Sequence, residues 1–185
     1  MIGDVNTHEC FVQTSLGDLA LRSSIYDVIT KIVPDFQIST LSDLEVSALP
    51  GGITNLLFFA RSISTHRGLI VRVFGDGMSL VINRETEKII LLSLSKCGLA
   101  PVIYGYFSNG RIEGYIDAST LGFRELSYEK VARSIGRALV DLHLQDINID
   151  KSIVLWSKIE LFFNRFLGEV SITLLFFTSF MVFVF

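Results

Sequence analysis

The last sixteen residues constrain this chain most tightly. Val170 to Phe185 carries no charge, and Phe176, Phe177, Phe180, Met181, Phe183 and Phe185 are relieved only by Thr and Ser. A helix that crosses a 30 Å hydrocarbon core needs about 20 apolar residues. Sixteen residues at about 1.5 Å each reach only about 24 Å. The run is short of a full span, and no polar residues follow Phe185 to hold a far interface. Without it the chain reads as a soluble α/β protein. Three readings are open: a membrane anchor, a buried strand or helix without its partners, and a truncation. The pattern points to the third, a coding sequence interrupted by a read-through intron or a frameshift.

At 185 residues the chain has room for one domain, or for one and a half small lobes. Half of the residues are apolar and 19% are charged, which excludes intrinsic disorder. A formal net charge of −3 offers no basic footprint, so nucleic acid is excluded as a partner. Two cysteines, Cys10 and Cys97, make no disulfide framework, which points to a reducing compartment and a cytoplasmic location. Met1 to Glu9 is acidic and has no apolar core, so it is not a secretory signal.

Residues 1–22 carry little pattern and read as a loose leader. Ser24-Ile25-Tyr26-Asp27 resembles a capping box. Behind it Ile25, Val28, Ile29 and Ile32 share a helical face that Pro34 closes. Leu44–Leu49 alternates, Pro50-Gly51-Gly52 is turn chemistry, and Ile53–Ala60 is an apolar strand. A polar turn, Arg61–Gly68, leads to a second strand, Leu69–Phe74, which Gly75-Asp76-Gly77 breaks. From Asn83 to Lys96 the period becomes helical, behind the first-turn acids Glu85 and Glu87 that suit a helix dipole. Cys97-Gly98 ends that helix. Val102–Phe107, Asn109-Gly110 and Arg111–Asp117 form a hairpin signal. A last helix spans Ser127–Leu144, with Val131, Ile135, Leu139 and Leu142 on one face.

Two places could carry chemistry. Paired glycines in Leu49-Pro50-Gly51-Gly52-Ile53-Thr54-Asn55 let backbone N–H groups approach a phosphate, with Thr54 and Asn55 adding side-chain bonds. A plain hairpin turn explains the same residues. Arg72 sits mid-strand on the face of Ile70 and Phe74. It is either an edge gatekeeper or aimed at an anion. A strand cation behind a glycine turn, followed by Glu87 on a helix, is the arrangement that holds nucleotide in protein kinases, where the cation is lysine.

Gly-Gly-Ile-Thr-Asn, Val-Arg-Val-Phe-Gly, Ile-Asn-Arg-Glu-Thr-Glu and Gly-Leu-Ala-Pro-Val-Ile-Tyr-Gly-Tyr-Phe-Ser-Asn-Gly-Arg-Ile-Glu occur in order between Leu49 and Trp156. Together they resemble the N-terminal lobe of the choline/ethanolamine kinase family. The resemblance implies an α+β fold: a protein-kinase-like N-lobe of antiparallel sheet plus helix, the start of a helical second lobe, and an aberrant apolar tail. The corresponding divisions are 1–43 (leader and helix), 44–118 (N-lobe), 119–167 (incomplete second lobe) and 168–185 (tail). It implies transfer of the γ-phosphate of ATP, with Mg²⁺, to ethanolamine or choline in phospholipid precursor synthesis. The Ile-Asn-Arg-Glu wording leans toward ethanolamine.

Carried over by residue, the resemblance places Gly51, Gly52, Thr54 and Asn55 over the ATP phosphates. Arg72 takes the place of the kinase lysine, Glu87 is its helix partner, and Glu113 with Tyr115 belongs to the hinge that meets the adenine. An arginine suits that role, because its planar fork grips phosphate oxygens and stays charged. His143-Leu144-Gln145-Asp146 mimics a His-x-Asp loop, but it is one residue too long and closes a helix; it reads as a structural histidine. The family's catalytic aspartate and Mg²⁺ acids lie beyond the equivalent of Trp156. The resemblance therefore implies a fragment with no catalytic or metal-binding residue of its own, inactive alone. The alternative is a non-catalytic kinase-like lobe held at a membrane by Val170–Phe185. An aminoglycoside-type phosphotransferase shares the fold, and Asn-Gly-Arg-Ile-Glu argues against it.

Overall fold

The computed structural model describes residues 5, 7–15, 17–50, 55–75, 83–150, 152, 155–157, 159–161 and 163–164. The chain divides into two compact units, residues 1–149 and 150–185. In the second, residues 155–157, 159–161 and 163–164 are helical, and the Asp150 carboxylate accepts the N–H and hydroxyl of Ser152. The first unit holds the sheet and the helices packed on it.

Its strands are β1 (Thr7–His8), β2 (Leu44–Leu49), β3 (Asn55–Ser62), β4 (Gly68–Phe74), β5 (Ile103–Phe107) and β6 (Gly110–Gly114). Its helices are α1 (Asp18–Ile32), α2 (Arg84–Lys96), α3 (Phe123–Leu126) and α4 (Glu129–His143). Among the described residues the strands form one sheet in the order β1-β5-β6-β4-β3-β2. All neighbours are antiparallel except the short β1–β5 pair. The strand β4 is therefore internal, flanked by β3 and β6.

Alternation of burial along β4, and along β3 from Phe58 onward, separates the two faces of the sheet. On one face Phe58, Ala60, Leu69, Val71, Val73 and Ile112 pack against α1. The helix contributes Ile25, Val28 and Ile29 at i, i+3 and i+4, a spacing that sets them on one stripe. Burying aliphatic side chains of this size contributes about 1.5–3 kcal/mol each. On the other face α2 buries Leu92 against Ile103 and Tyr106.

The opening residues are not a loose leader. Thr7 and His8 pair with Tyr106 and Phe107, and Val12 is fully buried. Asn109 clasps Val12 from both sides: its Nδ2 donates to the Val12 carbonyl and its Oδ1 accepts the Val12 N–H, each at 3.0 Å. The helix α1 also begins well before Ser24, after Gly17 at φ +91°. Ser24 is therefore no cap. Its hydroxyl donates to the Leu21 carbonyl at 2.8 Å and accepts the Gln13 N–H at 3.0 Å, the back-bonding open to a serine inside a helix.

The β5–β6 hairpin also differs in register. Phe107 pairs with Gly110, so the two-residue loop is Ser108-Asn109, and Gly110 opens β6. Among the described non-glycine residues only Gln37 and His66 have positive φ, so Asn109 does not supply a left-handed turn. Gly110 is needed for space: a Cβ there would run into the Arg72 carbonyl oxygen and the Phe107 ring.

The helix α2 starts as expected, with Asn83 Oδ1 accepting the Thr86 N–H at 3.1 Å. It ends at Cys97, before Gly98 at φ +71°. The expected final helix, Ser127–Leu144, is α4, Glu129–His143, with the short α3 as a separate turn before it; none of the α4 residues is buried among the described residues. Pro50 forms a bend, and the rest of the expected glycine turn, residues 51–54, lies outside the described residues, as does the apolar run Val170–Phe185. Among the described residues no helix is long and apolar enough to cross a membrane.

Candidate functional site

Cross-strand pairing decides which side chains share the α2 face. Asn55 stands opposite Phe74, and Leu57 opposite Arg72. Arg72 in turn stands opposite Arg111, and Ile70 opposite Glu113. Directly paired residues point the same way. Asn55, Arg72, Arg111 and Glu113 therefore lie on one face of the sheet.

Two like charges directly opposite each other repel, and Glu113 resolves the conflict between Arg72 and Arg111. Its Oε1 accepts Arg72 Nε at 2.7 Å and Arg111 Nε at 2.6 Å. Its Oε2 accepts Arg72 Nη2 at 3.2 Å. Arg111 then donates from Nη1 to Glu87 Oε1 at 2.9 Å, and Glu87 Oε2 accepts Arg84 Nη1 at 2.7 Å. The result is a line of alternating charge, Arg72–Glu113–Arg111–Glu87–Arg84, from the middle of the sheet to the first turn of α2. The Arg84 guanidinium closes the line over the Phe74 ring, 4.1 Å from its centroid.

The carboxylates in this line are held ionised. Burial pushes the Glu113 carboxyl up, but the hydrogen bond from Arg72 and the charges of Arg111 and Arg72 outweigh it and set its pKa below the ordinary glutamate value. Glu87 behaves the same way: burial raises it, and the bonds from Arg111 and Arg84 bring it lower. Burial works against charge on Arg111, yet Glu113 and Glu87 together raise its pKa.

Beside this line lies a cleft of about 240 Å³ lined by Thr7, Phe74, Lys88, Tyr106 and Arg111 among others. The Lys88 ammonium reaches Thr7 Oγ1 at 3.3 Å and sits 4.9 Å from the Tyr106 ring centroid. The Tyr106 hydroxyl is buried, without a hydrogen-bond partner among the described residues. Burial first, and the nearby glutamates after it, raise its pKa.

Of the residues singled out in the sequence, Asn55, Arg72, Glu87, Glu113 and Tyr115 are described, while Gly51, Gly52 and Thr54 lie outside the described residues. Arg72 is not an edge gatekeeper, because β4 is internal. Nor is Glu87 its direct partner: Glu113 and Arg111 stand between them. The side chain of Glu113, expected in a hinge, is instead almost wholly buried between two arginines. Tyr115 follows β6 and lies half-exposed, its ring 4.5 Å from that of Phe59. Asn55 Oδ1 is buried with no hydrogen-bond partner among the described residues, so polar capacity is unfilled among them at the start of β3. His143 is exposed in the last turn of α4.

Sequence reasoning missed Arg111. Its signal was present in Gly110-Arg111-Ile112-Glu113-Gly114, where opposite charges two apart share one strand face. Among the described residues no group of three or more His, Cys, Asp or Glu side chains could hold a metal ion. Arg72 is bonded through Nε and Nη2 alone among those residues, which leaves the Nη1 donors for an anion.

Comparison with known proteins agrees with this architecture. Residues 46–175 match the family model described as choline/ethanolamine kinase. A probable choline kinase 1 from Arabidopsis thaliana is 32% identical over 66% of this chain and 37% of its own length. A probable ethanolamine kinase A from Dictyostelium discoideum is 26% identical over 83% of this chain and 45% of its own. Among solved structures, an ethanolamine kinase from Plasmodium vivax superposes with a TM-score of 0.71 at 24% identity, over 86% of this chain and 47% of that one. The last likeness is one of fold. The chain spans less than half the length of these relatives. With well over half of its residues in the family match, the chain belongs to the choline/ethanolamine kinase family.

Proposed function

We propose that this chain is the nucleotide-holding part of a kinase that phosphorylates the hydroxyl of ethanolamine, or of choline. The observation that carries the reading is Arg72, an internal-strand guanidinium fixed by Glu113 along one edge, with its Nη1 donors uncommitted among the described residues. ATP would supply the γ-phosphoryl group. What the chain contributes is a cation held in place before the charge develops, which is where most catalysis of phosphoryl transfer arises.

Arg72 would neutralise phosphate oxygens, and a guanidinium held by Nε and Nη2 loses little freedom when it does so. Asn55, with its unfilled buried Oδ1, would bond the nucleotide beside Gly51, Gly52 and Thr54. The backbone after Glu113, with Tyr115, would border the adenine. Among the described residues no group of three or more His, Cys, Asp or Glu side chains could hold a metal ion; the base and the acids for Mg²⁺ would lie in the part of the relatives' length that this chain does not span. The names of the relatives support both alcohols, and Ile82-Asn83-Arg84-Glu85 supports ethanolamine.

The test is titration of the chain with a fluorescent ATP analogue, beside a phosphorylation assay on ethanolamine and on choline. The reading expects binding, displacement by ATP, a large loss of affinity in Arg72→Ala, and no turnover from this chain alone. Equal affinity in the wild type and Arg72→Ala would remove Arg72 from the site.

A further inference from the structure

We infer that Arg111 is a positioning residue for Arg72, and that it ties the strand cation to α2 in place of a direct cation–glutamate pair. The inference rests on the nucleotide reading of Arg72 given above. It comes from the bonding pattern: among the described residues Arg111 alone donates to both carboxylates of the line, Nε to Glu113 at 2.6 Å and Nη1 to Glu87 at 2.9 Å.

Burying a guanidinium directly opposite another is costly unless it is paired on both sides. Arg111 is 6% exposed and stands opposite Arg72. Its presence settles how Glu113 is shared. With Arg111 bonded to Oε1, the Glu113 carboxylate is turned so that Oε1 and Oε2 together face Arg72 as a fork. Through Nη1 the same guanidinium fixes Glu87, and with it the first turn of a helix that otherwise buries only Leu92 among its described residues. A shift of α2 would therefore reach Arg72 through Arg111 and the Glu113 carboxylate.

Arg111→Lys separates this role from simple charge. Lysine keeps the cation, but one ammonium cannot reproduce two donors set apart on a planar fork. Affinity for the fluorescent ATP analogue is measured in the wild type, Arg111→Lys, Arg72→Ala and the double variant, with thermal melts to confirm folding. The expected result is roughly tenfold weaker binding in Arg111→Lys, a coupling typical of residues in one network. No further loss is expected when Arg111→Lys is added to Arg72→Ala.

Wild-type affinity in Arg111→Lys, with Arg72→Ala impaired, would overturn the inference and leave the nucleotide reading intact. Equal losses in both backgrounds would also overturn it, since Arg111 would then act without Arg72. A wild-type chain that binds no analogue would remove the nucleotide reading and this inference with it. If Arg111→Lys does not fold, Glu87→Gln breaks the same link from the helix side, and the same cycle with Arg72→Ala decides.

Discussion

On one face of the sheet, α1 meets the strands through Ile25, Val28, Ile29, Val71 and Ile112, all fully buried and all apolar. On the other, α2 meets them through Leu92 and then through ions: Glu87 to Arg111, and Arg111 to Glu113. Apolar burial is non-directional and tolerates small displacements of packed atoms, whereas a charge-assisted bond depends on distance and angle. The α1 face accordingly supplies cohesion. The α2 face supplies geometry, and it stores that geometry in pairs that are expensive to break one partner at a time.

The largest expected break lies on the apolar side. Phe36 is fully buried beside α1, and Phe36→Ala should cost about 4 kcal/mol, the loss of a buried aromatic plus its cavity. Urea unfolding would measure it, and a change below about 1 kcal/mol would contradict the division of labour between the faces.

Next is Glu113→Gln, which leaves Arg72 and Arg111 facing each other with no counter-charge between them, Glu87 alone remaining on Arg111, and should cost about 3 kcal/mol. This prediction has a pH signature. The Glu113 and Glu87 carboxyls are shifted below the ordinary value, so the unfolded chain binds protons first as pH falls. Their contribution is complete above the unfolded glutamate value of about 4.3 and is lost as pH drops through the lower folded values. Wild-type stability should therefore fall on acidification more steeply than that of Glu113→Gln. The groups facing Glu113 are Arg72 and Arg111, with Glu87 and Tyr106 close by. Parallel acid limbs in unfolding followed from neutral pH to well below the unfolded glutamate value of about 4.3 would remove Glu113 from the account.

Smaller effects sharpen the contrast. Gly110→Ala should cost about 2 kcal/mol, because the added carbon must displace the Arg72 carbonyl or the Phe107 ring. A neutral result would return Gly110 to an ordinary turn glycine. Asn83→Ala removes the α2 cap and should cost about 1 kcal/mol. Its expected mark is faster hydrogen exchange confined to Arg84–Lys96. Exchange that rises equally in α1 would show the two faces to be one cooperative unit.

Much of this was legible in the residues. The alternation of Leu44–Leu49, the apolar runs of β3 and β4, and the helix from Asn83 with its first-turn acids all declared themselves, because their signals are local: period, charge in the first turn and breaker. The leader was illegible for the opposite reason. Thr7 and His8 form a strand only because β5 offers them an edge, and Val12 is held by Asn109, a residue 97 positions away. Ser24 followed by Asp27 carried a true local pattern, but tertiary contacts with Gln13 decided its use. In the site, Arg72 was visible as a charge inside an apolar strand, while its partner was misassigned. Glu87 had the expected spacing from a kinase-like pattern; Glu113 and Arg111 are set beside Arg72 by strand register, which spacing does not encode.

The sequence by itself determined the elements and the oddity of an arginine at position 72, since period, caps and hydrophobicity act over a few residues. Only the tertiary structure decided which charges meet. An ion pair depends on the pairing of β4 with β6 and on where α2 lands, and those are settled by the burial of the whole sheet.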